Sequence, residues 1–413
     1  MANITTKDEA RFHTEERIRH DFLAPDGSES REAAELIAAR NRDFCKSIPS
    51  NEDWKDMKLA VESLSGGTNT VILDDLGQPS IMVLIPKMNA ADLSNGLLRR
   101  THPAFIVKGR EYDTVAIGKY ASFVKNGRAC SLPMKDPAVD HAFDDCAALC
   151  SAKGKGWGIT PFSLWGAIAL WSKKNGTMPE GNTYYGQHND DASSHGIASW
   201  MDKREGLPVP GRTFTGSGPL TWFHNHRTDG IADMSGNVAE WCSGFRMCNG
   251  EIQLIENADV MAPGCDMSFE SPLWRAILPD GSLTNPGDND SLKLDYVDGY
   301  WKLCRTITNH SEEKRIATMP DMKLADGLTE MPQILIELGF CPERQLTGSP
   351  YGRYGKEFIN GPNKGVEQFP SRGGIWYSYL FQSSGIFNTS LYYGRDLIGN
   401  TVGMRLAYYP IGD

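Results

Sequence analysis

Apolar and polar positions alternate in different ways along the chain, and each way predicts a different element. In residues 1 to about 55 the stretch SESREAAELIAARNRDFCKSI places Ser28 or Ser30 as a cap before an Ala/Leu/Ile face, which predicts a packed N-terminal helix or an oligomerisation element. From Thr70 the pattern turns strand-like: NTVILDD and SIMVLIPK flank a turn at Leu76-Gly77-Gln78-Pro79, the signature of a hairpin. A third run, AFIVKGREYDTVAIGKYAS, extends it into an antiparallel meander. Helical spacing then appears from Asp136 to Lys153, is broken by Gly154 to Gly158, and resumes from Pro161 to Lys174. Early strands followed by two helices, without βαβ alternation, predict an α+β fold.

The second half is less regular. Gly176 to Thr215, rich in Gly, Asn, Asp and Ser, reads as a surface loop, and residues 216–245 alternate Gly turns with apolar residues. Cys248 to Pro370 is a long excursion with its own small elements, among them GEIQLIE, LKLDYVDGYWKL and a helical MPQILIELGF. It predicts an insertion between two halves of one sheet, or an elaborated subdomain. The chain then closes on Arg372 to Tyr409, where a Gly-Gly turn with Trp376 and a strand-like VGMRLAYY bracket a middle rich in Tyr, Ser, Gly and Asn. Tyrosine offers a stiff amphipathic contact and the small polar residues adaptable hydrogen bonding, as in antibody paratopes, so Tyr377, Tyr379, Tyr392 and Tyr393 are candidate contacts. Aromatics alternating with small residues describe a strand buried on one face equally well.

Composition narrows the function. At 413 residues the chain can bury a substantial core. Its formal charge of -10, with no cluster of basic residues, argues against a nucleic-acid partner. No run reaches the roughly twenty apolar residues of a membrane span, and the longest, Ile159 to Trp171, reads as a buried helix. The polar N-terminus shows no export signal, so a soluble protein is expected. Nine cysteines, without paired CxxC spacing, suit reduced buried thiols; Cys146 and Cys150, one helical turn apart, read as small core residues instead of a metal or redox pair.

Three segments in order, FDDCAALC with WGITPFSLWGAIAL, DMSGNVAEW, and RGGIW with VGMRLA, resemble the formylglycine-generating-enzyme branch of the C-type lectin fold. The landmarks of that branch are a helix, a GNVxEW turn and a closing GFR strand. Asp233 to Trp241 match the turn, Arg372-Gly373-Gly374 with Trp376 the next landmark, and Gly403-Met404-Arg405 stands where GFR is usual. The resemblance covers about residues 75–245 and 370–410. It implies an antiparallel sheet with two helices, an accessory region at 1–60, a lectin-like domain at 61–413 with an insertion at about 248–370, and a variable segment at 372–407. In the turn, Gly236 permits a tight backbone, Asn237 and Glu240 are expected to satisfy buried amides of neighbouring loops, and Trp241 to anchor the core.

The same resemblance bears on chemistry. Enzymes of the family carry a cysteine just after the GFR arginine; here that position is Leu406, and no cysteine follows Cys341. An iron-dependent sulfoxide synthase would need a histidine cluster, and His224 and His226, without a third ligand, read as turn or surface histidines. In some relatives the turn holds a structural calcium, which maps onto Asp233, Gly236, Val238 and Glu240, with hydrogen bonding inside the turn as the competing expectation.

The C-terminal stretch most resembles the variable proteins of diversity-generating retroelements, whose RGGxW…GFRxA segment is rewritten by adenine-directed mutagenesis and displays a ligand-binding surface. Randomised AAY codons cannot yield Lys, Glu, Gln, Met or Trp, which make up roughly a fifth of average composition. Between Tyr377 and Thr401 only Gln382 belongs to that set. With Trp376, Gly385, Phe387, Leu391, Arg395, Val402, Gly403 and Arg405 as framework, the expected ligand-binding positions are Ile375, Tyr377, Ser378, Leu380, Ser390, Tyr392, Tyr393, Leu397 and Gly399, followed by Tyr379, Asp396 and Thr401. The implied function is non-catalytic recognition of a protein or glycan receptor on a host or target cell, by a phage tail protein assembled in the cytoplasm or by a bacterial surface adhesin. A homo-oligomer is the expected assembly. The rival expectation is a formylglycine-type oxidase or sulfoxide synthase relative.

Overall fold

The apolar runs flanking Gly77 form an antiparallel pair, β1 (Asn69–Leu73) and β2 (Pro79–Pro86), and β3 (Thr114–Gly118) lies antiparallel to β2. The computed structural model describes residues 54–94, 96–311, 313–343, 357–361, 365–377 and 384–412. The helix expected at residues 28–48 lies outside them. Helix α1 (Lys55–Ser65) runs into β1 and crosses the expected boundary near residue 60. Strand β2 is buried at every position, which is why its sequence is a continuous apolar run instead of an alternating one. Val83 and Ile85 pack in one core with helix α3 (Phe162–Lys174), while Met82 and Leu84 pack in a second with Phe143, Cys146 and Cys150 of helix α2 (Phe143–Ser151).

Helix α3 is apolar around almost its whole circumference and is buried accordingly. Gly166 lets the backbone at Leu338 approach it closely, and Trp165 donates its indole N–H to the carbonyl of Ile386 at 2.7 Å. Among the described residues no helix is long and apolar enough to cross a membrane. The described cysteines are free thiols, and burial pushes Cys146 up to about 12.

Between α2 and α3 lies β4 (Trp157–Ile159). Residues 176–215, expected as plain loop, contain two short hairpins, Gln187–His188 with Asp191–His195 and Met201–Arg204 with Leu207–Pro210. The second turns on Glu205 and Gly206, both in the left-handed region that a tight hairpin requires. The GNVAEW motif then enters β5 (Ala239–Trp241).

The long excursion is two things at once. Strands β6 (Phe245–Cys248), β7 (Glu251–Leu254), β8 (Arg275–Ile277), β9 (Leu283–Thr284), β10 (Lys293–Val297) and β11 (Tyr300–Cys304) build a separate sheet, but the chain then leaves it for β12 (Arg315–Thr318). It returns with β13 (Lys323–Leu324), passes through α4 (Gln333–Glu337), and leaves again with β14 (Phe358–Gly361). Strands β12 and β14 join β5, β15 (Ser371–Gly374), β16 (Ser384–Ser390) and β17 (Val402–Met404) in a six-stranded sheet of order β12-β14-β16-β15-β5-β17.

The closing stretch, expected as one strand, is two strands in two sheets. β17 pairs parallel with β5, whereas β18 (Leu406–Tyr408) inserts between β3 and β4 of the five-stranded sheet. Arg405 is the residue at which the chain changes sheet. The whole is a sheet-rich α+β fold with few helices.

Candidate functional site

Two sequence landmarks hold each other. In the loop before β5, Asp233, Gly236 and Asn237 take left-handed backbone conformations, and a side chain at Gly236 would collide with the Asn182 carbonyl. The Gly236 amide donates to the Gly373 carbonyl at 2.8 Å, and the Trp376 amide donates to the Asn237 carbonyl at 3.1 Å. Asn237 satisfies a neighbouring loop: its side chain accepts from the Thr213 amide at 2.8 Å and donates to the Thr213 carbonyl at 3.1 Å. Trp241 is buried completely.

Glu240 departs from its expected role. Instead of capping loop amides, it receives two hydrogen bonds from Arg405, at 2.8 and 2.7 Å, and both side chains are buried. The reason is electrostatic: a carboxylate removed from water is best compensated by the planar guanidinium fork. Arg405 also donates to the carbonyls of Gly118 and Ala232, each at 2.9 Å, and so links the two sheets at the point of crossing. Asp233 accepts from the Gly216 amide at 2.7 Å, and burial pushes its pKa up to about 6. Hydrogen bonds within the protein thus engage both Glu240 oxygens and Asp233 Oδ2, and leave Asp233 Oδ1 unpartnered.

Of the two histidines, His226 is a half-buried turn residue as expected, and His224 differs. His224 lies in the core, 2% exposed, with its ring 5.2 Å from that of Trp171 and Nδ1 accepting from the Ile231 amide at 2.8 Å. Burial pulls its pKa down to about 3. Phe223 and Ile231, on either side of it, belong to the hydrophobic cores. Among the described residues no group of three or more His, Cys, Asp or Glu is placed to hold a metal ion.

On the six-stranded sheet the chain builds a cleft of about 350 Å³. It brings together Ile375, Tyr377, Ser390, Tyr393 and Thr401 of the expected ligand-binding positions, each half-buried. Tyr392 and Asp396 are exposed, Leu397 and Gly399 half-buried, and these four lie outside the cleft lining. Ser378, Tyr379 and Leu380 fall outside the described residues. The framework residues lie deeper: Trp376, Phe387, Leu391, Val402 and Arg405 are at most 2% exposed.

What fixes the loop from 391 to 401 is backbone and framework. The Leu391 amide donates to the Asn360 carbonyl at 2.6 Å, the Phe369 amide to the Tyr393 carbonyl at 3.1 Å, and the Phe143 amide to the Arg395 carbonyl at 2.9 Å. Arg395 adds hydrogen bonds to Glu367 at 2.7 Å and to the Met267 carbonyl at 2.8 Å. Tyr392 and Tyr393 meet edge to face at 5.0 Å, and the Lys314 ammonium stands 5.5 Å from the Tyr392 ring centre.

Five residues of the cleft, Lys314, Ile316, Asn360, Ser371 and Asn388, escaped the sequence reading. Lys314, Ile316 and Asn360 come from the excursion, whose return into this sheet has no local signature. Asn388 was legible, since period-two alternation on a strand puts it on the face of Ser390. The lining contains no histidine, cysteine or carboxylate among the described residues; Lys314 and the tyrosines are its titratable groups.

No family model matches the chain. No curated protein matches it either. Among solved structures, PvdO from Pseudomonas aeruginosa aligns over 82% of this chain and 97% of that chain, at 13% sequence identity and a TM-score of 0.30.

Proposed function

We propose that this chain is a non-catalytic binding protein of the diversity-generating-retroelement type, built on a formylglycine-generating-type C-type lectin frame that presents an interchangeable C-terminal surface to a receptor on another cell. The observation that carries the reading is the division of labour in residues 372–407: buried framework side chains and backbone hydrogen bonds hold the segment, while Ile375, Tyr377, Ser390, Tyr393 and Thr401 open onto one cleft. Side chains that do not support the backbone can change without disturbing it. Half-buried tyrosines beside an open cleft are the residue type that dominates binding energy at interfaces. Among the described residues the lining holds no thiol, imidazole or carboxylate, and its polar groups are hydroxyls, amides and the Lys314 ammonium.

The reading places the protein on a phage tail or a bacterial surface. Sequencing the locus in sibling isolates tests it: substitutions clustered in 375–401, beside a near-identical template repeat and a reverse-transcriptase frame, are the expected result. An invariant segment would sink it. Stoichiometric copper or iron in the purified protein, with oxidase or sulfoxide synthase turnover, would favour an enzyme instead.

A further inference from the structure

The floor of the cleft carries polar capacity that the protein itself leaves unused. Asn360 on β14 is 3% exposed and its Oδ1 has no hydrogen-bond partner; Asn388 on β16 is 1% exposed and its Nδ2 has none. The two strands run parallel with Asn360 opposite Ser390. Asn388 is therefore the diagonal neighbour of Asn360, with Cα atoms about 8 Å apart by strand spacing and rise. A buried donor or acceptor left unmet is costly in a protein interior, and the majority of such groups are paired. One free acceptor and one free donor sit on residues that line the same cleft, each atom covered while the cleft is empty, and a turn of the two amides would present them to a ligand that donates and accepts at neighbouring positions.

The walls narrow the class. Tyr377 and Tyr393 offer ring surface for an apolar ligand face. Among the described lining residues the sole formal charge is the positive one of Lys314, which stands exposed at the rim, while the carboxylate of its neighbour Glu313 is held by Arg315 at 2.8 Å. Packing around its ammonium lowers its pKa through lost hydration, an effect that an incoming anion would offset. A volume of about 350 Å³ lies near the small end of ligand clefts and has room for one or two sugar rings, not for a folded epitope.

We propose that this cleft receives the terminal unit of an acidic glycan, a sugar ring whose hydroxyl groups engage Asn360 and Asn388, whose C–H face lies on Tyr377 or Tyr393, and whose carboxylate meets Lys314. The inference rests on the binding reading above and names its ligand class. Its test is the full chain on a panel of immobilised glycans ending in hexuronic acids, the matching neutral hexoses, and aspartate-rich peptides, with free galacturonate and galactose as competitors.

Preference for the acidic glycans of at least about tenfold is expected, abolished by Lys314→Met at the exposed rim and reduced for acidic and neutral sugars alike by Asn388→Leu. Circular dichroism confirms that each variant folds, and Asn360→Leu replaces Asn388→Leu if that variant does not. Equal binding of neutral hexoses, or stronger binding of the peptides, overturns the acidic-glycan inference and leaves the binding reading standing. Failure of every probe to bind overturns the inference, and if sibling sequences are also invariant, the reading beneath it falls too.

Discussion

Arg405 offers the sharpest test of how the frame is held. Arg405→Met removes two charge-assisted hydrogen bonds to Glu240 and two to the carbonyls of Gly118 and Ala232, all between buried groups. A carboxylate stranded in this way costs about 3–5 kcal/mol. Each carbonyl left without its donor adds about 1 kcal/mol or more. The total is comparable with the roughly 5–15 kcal/mol that keeps an ordinary domain folded, so the variant is expected to unfold at much lower urea or to accumulate poorly. Arg405→Lys retains the charge and loses the fork, and its expected cost is smaller, about 1.5–3 kcal/mol. Glu240→Leu combined with Arg405→Met removes both ions and is expected to recover most of the loss, leaving chiefly the cost of the two carbonyls. Urea unfolding of the wild type, Arg405→Met, Glu240→Leu and the double variant, followed by tryptophan fluorescence, gives the four free energies of the cycle and the coupling between the sites. A single-variant loss below about 1 kcal/mol, or a double variant as damaged as the sum of the singles, would refute this account of the buried pair.

Glu357 is fully buried, and desolvation pushes its pKa up to about 8 from an ordinary 4.5. The folded state thus binds this proton more tightly than the unfolded chain, so the group's cost is full above about pH 8 and vanishes as pH falls through 4.5. Glu357→Gln should accordingly be more stable than the wild type at pH 8.5, by on the order of 3–5 kcal/mol, with the gap closing below about pH 5; a pH-independent difference between their urea midpoints would exclude the idea. The buried neutral histidines act in the opposite sense: His102 is pulled to about 4 and His224 to about 3, so the stability they contribute is lost as pH falls below about 6.5. Gly373 has a φ of 87°, and a Cβ there would stand 2.9 Å from the Met234 carbonyl oxygen, so Gly373→Ala should cost about 1–3 kcal/mol in the same unfolding assay; a neutral result would show that the turn is not strained. Tyr392→Ala and Asp396→Ala, at exposed positions, should each change stability by less than about 0.5 kcal/mol, and a loss above about 2 kcal/mol in either would show that the display positions support the frame.

Much of the frame was readable because its signals are local. The Gly77 hairpin, α2 and α3 follow from turn residues and apolar spacing within about twenty positions, and the GNVAEW loop from residues that tolerate left-handed backbone. What could not be read depends on distant partners. Nothing around Glu240 announces Arg405, and nothing in Arg315–Thr318 or Phe358–Gly361 announces that these short runs abandon their own sheet for the one beneath the cleft. The tyrosine-rich composition pointed to the C-terminal segment, and the cleft draws also on Lys314 and Asn360, which lie far outside it. His224 shows the same limit: a turn histidine beside polar neighbours looks exposed until the fold decides which way the turn faces.

The crossing at Arg405 also bears on how the molecule is made. It meets Gly118 across 287 positions of sequence, and its two flanking strands complete two different sheets. While the chain is still being synthesised, the five-stranded sheet waits with an apolar slot between β3 and β4, and the six-stranded sheet with β5 bare at its edge, until residues 402–408 have left the ribosome. Assembly therefore waits for residues 402–408, and an arrested nascent chain ending before residue 402 should be digested by protease at concentrations that a chain extending past residue 408 withstands.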